Sequence, residues 1–255
     1  HSDEPARDAA YAGTVEQPRD RMASSHAIRR FAGSSGIFRA WLFRKVPHRL
    51  SVWRLRTVRP AVVCIDIDTM VMSSDGAGKR EAVSPAYENT KGFQPLQVTR
   101  GRFVTDAFFR GGSCHSGHGE SVVRIVTELA NPIRGEHRED AVIVLTGDCG
   151  FPGQDLLAAF EKLGIFHAFG ACVTENVRKA AASPTDGNFG ELRKEKQAWR
   201  LADFGLIYGT WSVFRRLVFR QPLCEDGQMP LSPDRAETPI VTNIRSDTVA
   251  EDMPE

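Results

Sequence analysis

The chain has 255 residues, 41% of them hydrophobic, enough to bury a core of ordinary size as one large domain or two small ones. No apolar run approaches the ~20 residues of a membrane span, and five scattered cysteines without a CxxC pair argue against a disulfide scaffold and for reduced thiols in the cytoplasm. The net charge of +1 conceals an asymmetry: residues 21–60 hold ten Arg and Lys and no acid, whereas the chain from Cys224 onward is mostly acidic, which is the footprint of a polyanion contact.

Residues 1–20 are polar, with Pro5 and Pro18, and read as a disordered lead-in. The first residue is His rather than Met, so the chain reads as an internal or processed fragment. Ser24 and Ser25 offer an N-cap for a helix carrying Arg29 and Arg30, and Gly33 to Gly36 break it. IFRAWLFRKV (37–46) is a second amphipathic helical piece, with Arg44 and Lys45 near its end. SVWRLRTVR (51–59) alternates apolar and basic residues, including Arg54 and Arg56, and fits a strand or a short arm. Residues 21–60 are thus a basic, largely helical segment suited to phosphate contact.

AVVCIDIDTM (61–70) is a buried strand ending in Asp66 and Asp68. Residues 71–92, rich in Gly, Ser and Asn, read as a long exposed connection. GFQPLQVT and GRFVTDAFFRGG then form a hairpin around Thr99-Arg100-Gly101. Cys114, His115 and His118 follow, but no partner cluster completes a zinc site. ESVVRIVTELA makes an amphipathic helix with Val122, Ile125, Val126 and Leu129 on one face, closed by Asn131-Pro132.

AVIVLTGDCGF (141–151) repeats the first pattern: five apolar residues without alternation, read as a strand buried on both faces, then Asp148 where it ends. In open α/β sheets, chemistry collects outside the carboxyl ends of the strands. Two carboxylates brought together there repel unless a cation lies between them, so a divalent metal held by Asp68, Asp148 and the neighbouring Asp66 is the natural companion. Helix 152–164 opens with Pro and closes with Gly, and IFHAFGAC (165–172) is another buried strand. The order so far is β, β, β, α, β, α, β. Beyond it, GLIYGTW, FRRLVFRQP and TPIVTNI suggest further strands, with Trp211, Arg215 and Arg216 among them.

These pieces resemble DDE transposases of the bacterial insertion-sequence type, whose catalytic domain has the RNase H-like fold. SSHAIRRF, IDIDTM, GFQPL, FFRGGSCHSGHG, TGDCGF, ENV, W-x3-RR and VTNI stand in that family's order between about Ser24 and Asn243. The resemblance implies an α/β fold, an RNase H-like mixed sheet flanked by helices, with a basic helical N-terminal segment and a β-containing insertion. The divisions are 1–20 lead-in, 21–60 basic segment, 61–172 catalytic core, and 173–255 insertion and C-terminal part. Asp68 becomes the first catalytic acid and Asp148 the second, on neighbouring strands, with Asp66 an alternate ligand on the same strand face.

The chemistry implied is two-metal phosphoryl transfer on double-stranded DNA at insertion-sequence ends, with two Mg²⁺ ions about 4 Å apart. Arg29, Arg30, Arg44, Lys45, Arg54, Arg56, Arg215 and Arg216 would contact the DNA backbone, and a homodimer on DNA in the bacterial nucleoid is the implied setting. This sequence departs from the family pattern at Thr146 and Cys149, where Arg and Ser are usual. The family's third acid, a Glu in a Tyr-Arg-Glu-Lys helix, has no counterpart here, so the chain reads as lacking its last catalytic element. Two alternatives stand beside this reading. VVCIDIDTMV also resembles the nucleophile motif of haloacid-dehalogenase-type phosphatases, with Asp66 as nucleophile and Asp68 as general acid; and a remnant could occupy DNA ends without cutting them.

Overall fold

A computed structural model describes residues 37–73, 84–85, 91–114, 119–182, 189–194, 197–209, 211–223 and 237–245. The chain divides into two compact units, His1–Arg49 and Leu50–Glu255. In the first, the described residues are helical and form the opening of α1 (Ile37–Val58). The expected N-cap at Ser24-Ser25 and the Arg29-Arg30 pair lie outside the described residues, as do His115 and His118.

Residues 51–58, expected as a strand or arm, continue α1 as helix through Pro47. The reason is visible in the core: Val52 and Leu55 are buried, a helical spacing of three that the alternation with arginines masks in sequence. Arg59 ends the helix in the left-handed region (φ 52°) and donates its amide to Leu55 O at 2.7 Å, before Pro60 turns the chain into the sheet.

The second unit is built on one nine-stranded sheet. Its strands are β1 (Val62–Thr69), β5 (Leu96–Arg100), β6 (Phe103–Phe108), β7 (Val142–Gly147), β8 (Phe166–Gly170), β9 (Phe189–Lys194), β10 (Gln197–Leu206), β11 (Arg215–Leu223) and β12 (Thr238–Thr242). The order across the sheet is β6-β5-β1-β7-β8-β12-β11-β10-β9. β1, β7 and β8 run parallel, and all other pairings are antiparallel. Short strands β2 (Met72–Ser73), β3 (Ser84–Pro85) and β4 (Lys91–Phe93) make a separate three-stranded sheet within the region expected as a plain connection. The predicted hairpin is present: β5 and β6 join at Gly101, whose φ of +57° suits a glycine.

Helices α2 (Gly119–Pro132) and α3 (Gln154–Lys162) supply the α steps of the predicted order. The apolar face read from the sequence of α2 is the buried one: Val122, Ile125, Val126 and Leu129 meet Val63, Ile65, Ile67, Ile143 and Leu145 of the sheet. Asn131-Pro132 does not stop the chain turning, because a single π-helical stretch, Ile133–His137, carries on. A smaller core forms where α4 (Glu175–Ala182) lays Val177 and Ala181 on Ala202, Phe204, Leu217 and Phe219. The expected α/β fold, a mixed sheet flanked by helices, is the fold observed.

A further expectation fails at the central strands. β1 and β7 were expected to be buried on both faces, but they alternate: Val63, Ile65 and Ile67 are buried, while Cys64, Asp66 and Asp68 are exposed. Val142 on β7 is likewise exposed. Among the described residues no helix covers that side, so a run of apolar residues here does not mean burial on both sides.

Candidate active site

The two acids reach one rim because two parallel strands end together. β1 and β7 pair in register from Val62↔Val142 to Ile67↔Gly147. The next residue on each strand is an acid, Asp68 on β1 and Asp148 just beyond β7. Neighbouring strands lie about 4.8 Å apart, so the two acids occupy adjacent backbone positions at the carboxyl edge of the parallel strands. Asp66 pairs with Thr146, two residues back on the same face as Asp68.

Local chemistry fixes each acid. Asp68 accepts the Thr69 amide on Oδ1 at 2.7 Å. Asp148 accepts the Gly150 amide on Oδ1 at 2.9 Å, a short turn closed by Phe151 N to Asp148 O. Each acid thus commits one carboxylate oxygen to the backbone. Asp66 accepts the Thr146 hydroxyl at 2.8 Å, so Thr146 orients the Asp66 carboxylate. Asp148 does not cap the next helix: α3 begins at Gln154 after Gly153, with no side-chain cap.

Gly147 is the hinge of the arrangement. A β-carbon there would stand 2.9 Å from Ile67 O and 2.9 Å from the Phe169 ring. Only a residue without a side chain lets β7 approach β1 and β8 this closely, and that approach delivers Asp148 to the rim. Beside Asp148 lie Cys149 and Cys172, both exposed free thiols. Burial first, then Cys172 and the Asp148 charge, push the Cys149 thiol above its ordinary value. Tyr208 donates its hydroxyl to Cys172 O at 2.9 Å, and Ser212 donates its amide and hydroxyl to Gln154 Oε1. The connection between β10 and β11 is thereby tied to the rim, which no sequence signal announced.

The exposed carboxylate oxygens of Asp68 and Asp148 are hard donors of the kind that suit Mg²⁺. Among the described residues no group of three His, Cys, Asp or Glu side chains converges to hold a metal, so Asp66, Asp68 and Asp148 do not by themselves make a three-ligand site.

The basic residues divide. Lys45 is exposed on α1, where Arg44 also lies. Arg54 packs its guanidinium 3.4 Å from the centre of the Phe103 ring, and Arg56 is exposed on the same helix. Arg215 and Arg216, expected to face DNA, are spent inside the protein. Arg215 is 8% exposed and pairs with Glu161, which also bonds His167 Nε2. Arg216 pairs with Asp203 and donates to Ile244 O. The reason lies in β11, where both must satisfy partners on neighbouring strands and on α3.

The same region explains the late VTNI pattern. Asn243 accepts the His167 amide at 2.8 Å and donates to Ile165 O, while Thr242 donates its hydroxyl to His167 O. These bonds fasten β12 to β8 and join the late strands to the parallel ones in one sheet.

The family model for the transposase DDE domain, group 1, matches residues 2–253. The chain belongs to this family. A comparison with curated proteins gives no match. One solved structure similar to this transposase chain is the piggyBac transposase in its synaptic complex with hairpin DNA, at 11% identity and a TM-score of 0.36, over 73% of this chain and 35% of that one. The chain therefore spans about a third of that protein's length. Among its described residues, no helix is long and apolar enough to cross a membrane.

Proposed function

We propose that this transposase chain carries part of a metal-dependent site for DNA strand cleavage and transfer at insertion-sequence ends, with Asp68 and Asp148 as its catalytic acids. The observation that carries the reading is the in-register end of β1 and β7, which sets the two carboxylates on adjacent strands at one edge. The β6-β5-β1-β7-β8 half, an antiparallel pair beside three parallel strands, supports its reading as RNase H-like.

Asp68 and Asp148, with Asp66 as a further ligand, would hold the divalent ions, Mg²⁺ by the hardness of the donors. A bound ion of this kind supplies Lewis-acid activation of a phosphodiester and of the attacking oxygen. The chain's own residues do the rest. Gly147 and the Asp148 turn hold one carboxylate in place, Thr146 orients Asp66, and the open face beside Cys64 leaves room for a DNA strand. Double-stranded DNA is the partner, contacted by the basic residues of α1 (Arg44, Lys45, Arg54 and Arg56) and by Arg29 and Arg30 before it. Arg215 and Arg216 have the role of internal ion pairs instead. The family assignment displaces the phosphatase alternative.

The test is a nicking assay on a labelled insertion-sequence end duplex with Mg²⁺ or Mn²⁺. Cleavage that Asp68→Asn and Asp148→Asn each remove, and that does not release phosphate from an aryl phosphate, supports the reading. DNA binding without any cleavage, unchanged by either substitution, would support the non-catalytic remnant instead. That second reading has one observation in its favour: no three His, Cys, Asp or Glu side chains converge into a metal-holding group among the described residues.

A further inference from the structure

At the opposite end of β1 from the acids, the end of α1 and the π-helical turn enclose a cleft of about 780 Å³. Trp53, Arg56 and Arg59 line one side by sequence, Glu136, His137 and Arg138 the other. β1 is eight residues long, and at 3.3 Å per residue the cleft is about 25 Å from the acid rim. It is a separate feature of the molecule.

Its construction favours an anionic, extended ligand. Arg56 and Arg59 are exposed, and among the described residues no carboxylate pairs with either. Arg138 is held by Asp140 through Nε and NH2, at 2.9 and 2.6 Å. Glu136 is the one acid in the lining. Trp53 is 64% exposed and presents a flat ring and an indole N–H beside these guanidiniums.

The cleft is also rigid. Leu55 on one side and Ile133 on the other are buried in the main core. His137 Nε2 lies 3.2 Å from Pro60 O, tying the turn to the chain just before β1. Arg59 occupies a left-handed position that glycine would fill without strain.

We propose that this cleft is a second DNA-contact site, in which Arg56 and Arg59 hold two phosphates of a duplex backbone and Trp53 packs against its sugar edge. Phosphate contacts of this kind give register and affinity without reading sequence. The inference rests on the DNA reading given above, and adds Trp53 and Arg59 to it at a place remote from the chemistry.

The full chain is titrated with a fluorescent 30-bp duplex by anisotropy, over a series of salt concentrations. Arg56→Ala/Arg59→Ala should raise Kd about tenfold near 0.1 M salt and reduce the salt slope by about 2, as expected for two lost phosphate contacts. Arg56→Lys/Arg59→Lys should recover most of the affinity, which excludes misfolding as the cause. A change in tryptophan emission on adding DNA should disappear in Trp53→Phe. Unchanged Kd and slope in the alanine pair, with a wild-type circular dichroism spectrum, overturns the proposal; so does binding to anionic phosphatidylserine vesicles in place of DNA. If the alanine pair binds normally while Asp68→Asn abolishes nicking, this inference alone falls. If the wild type binds no duplex, the DNA reading falls with it.

Discussion

The two halves of the sheet use charge in opposite ways. In the half around β12, β11 and β10, acids and bases neutralise one another: Glu161 with Arg215, Asp203 with Arg216, and Glu237 with Arg178. At the rim of β1 and β7, three acids bond only hydroxyl or amide groups among the contacts described, with no cation paired to them. Paired charges hold the structure together, whereas carboxylates left open at a strand edge remain available to an external partner. The difference predicts that substitutions in the first half cost stability and substitutions at the rim cost chemistry.

The largest stability effect should come from breaking the Glu161 cluster. Glu161→Ala strands the Arg215 guanidinium, only 8% exposed, beside a buried His167. A broken buried pair costs about 3–5 kcal/mol; since the Glu161 side chain is 35% exposed, about 2–3 kcal/mol is expected after screening. Urea denaturation measures it, and a loss below about 0.5 kcal/mol would mean the pair is decorative.

Next comes Gly147→Ala. Its methyl group would press on Ile67 O and on Phe169, both at 2.9 Å, and neither is the free end of a flexible chain. Overpacking of this kind costs about 1–3 kcal/mol. It should also shift Asp148, so cleavage should fall by more than the folded population does. Retention of full activity at reduced stability would separate Asp148 from the strand approach that Gly147 permits.

Acid should act on the paired half. Burial holds the His167 imidazole below its ordinary value of 6.5, despite Glu161 beside it. The unfolded chain therefore takes up a proton at a pH where the fold does not. Stability is intact above 6.5 and falls as pH drops from there toward the folded value, by about 1.4 kcal/mol per unit. Glu161 adds a second loss at lower pH. Burial raises its carboxyl, but the bonds from Arg215 and His167 outweigh that and hold it below 4.5, so its contribution is present above 4.5 and disappears as pH falls through the folded value. Thermal melts from pH 8 to pH 4 check both, and a flat profile between 6.5 and 5 would mean His167 is free to protonate in the fold.

The contrast between halves was only partly legible in the sequence. The acids were, because Asp68 and Asp148 each close an apolar run, and the family resemblance implied that those runs are neighbouring strands. The amphipathic face of α2 was equally plain. Arg215 and Arg216 were not: a basic pair in a strand looks the same whether its partners are phosphates or the carboxylates of Glu161 and Asp203, which are distant in sequence. The alternation in 51–59 suggested a strand because arginines fall between apolar residues, and only the burial of Val52 and Leu55 reveals a helix. Thr146 and the Tyr208–Cys172 contact depend on neighbours brought close by the sheet, and single residues carry no sign of that.

The smallest effect on stability should accompany the largest on chemistry. Asp68→Asn and Asp148→Asn each preserve the shape and the single backbone bond of the carboxylate while removing the charge that a cation requires. Neither acid is paired with a base in the described structure, so folding should change by no more than about 0.5 kcal/mol. A divalent cation loses a ligand that no neutral amide replaces equally, and DNA cleavage should fall by about 10²–10³-fold or more. Asp66→Asn should do less, because Asp66 stands two residues back from the edge and already takes the Thr146 hydroxyl. The comparison can be read by calorimetric titration with Mn²⁺ as well as by nicking. If Asp66→Asn abolished cation binding and Asp148→Asn left it intact, the cation would sit on β1 alone, and the in-register ends of β1 and β7 would no longer account for the site.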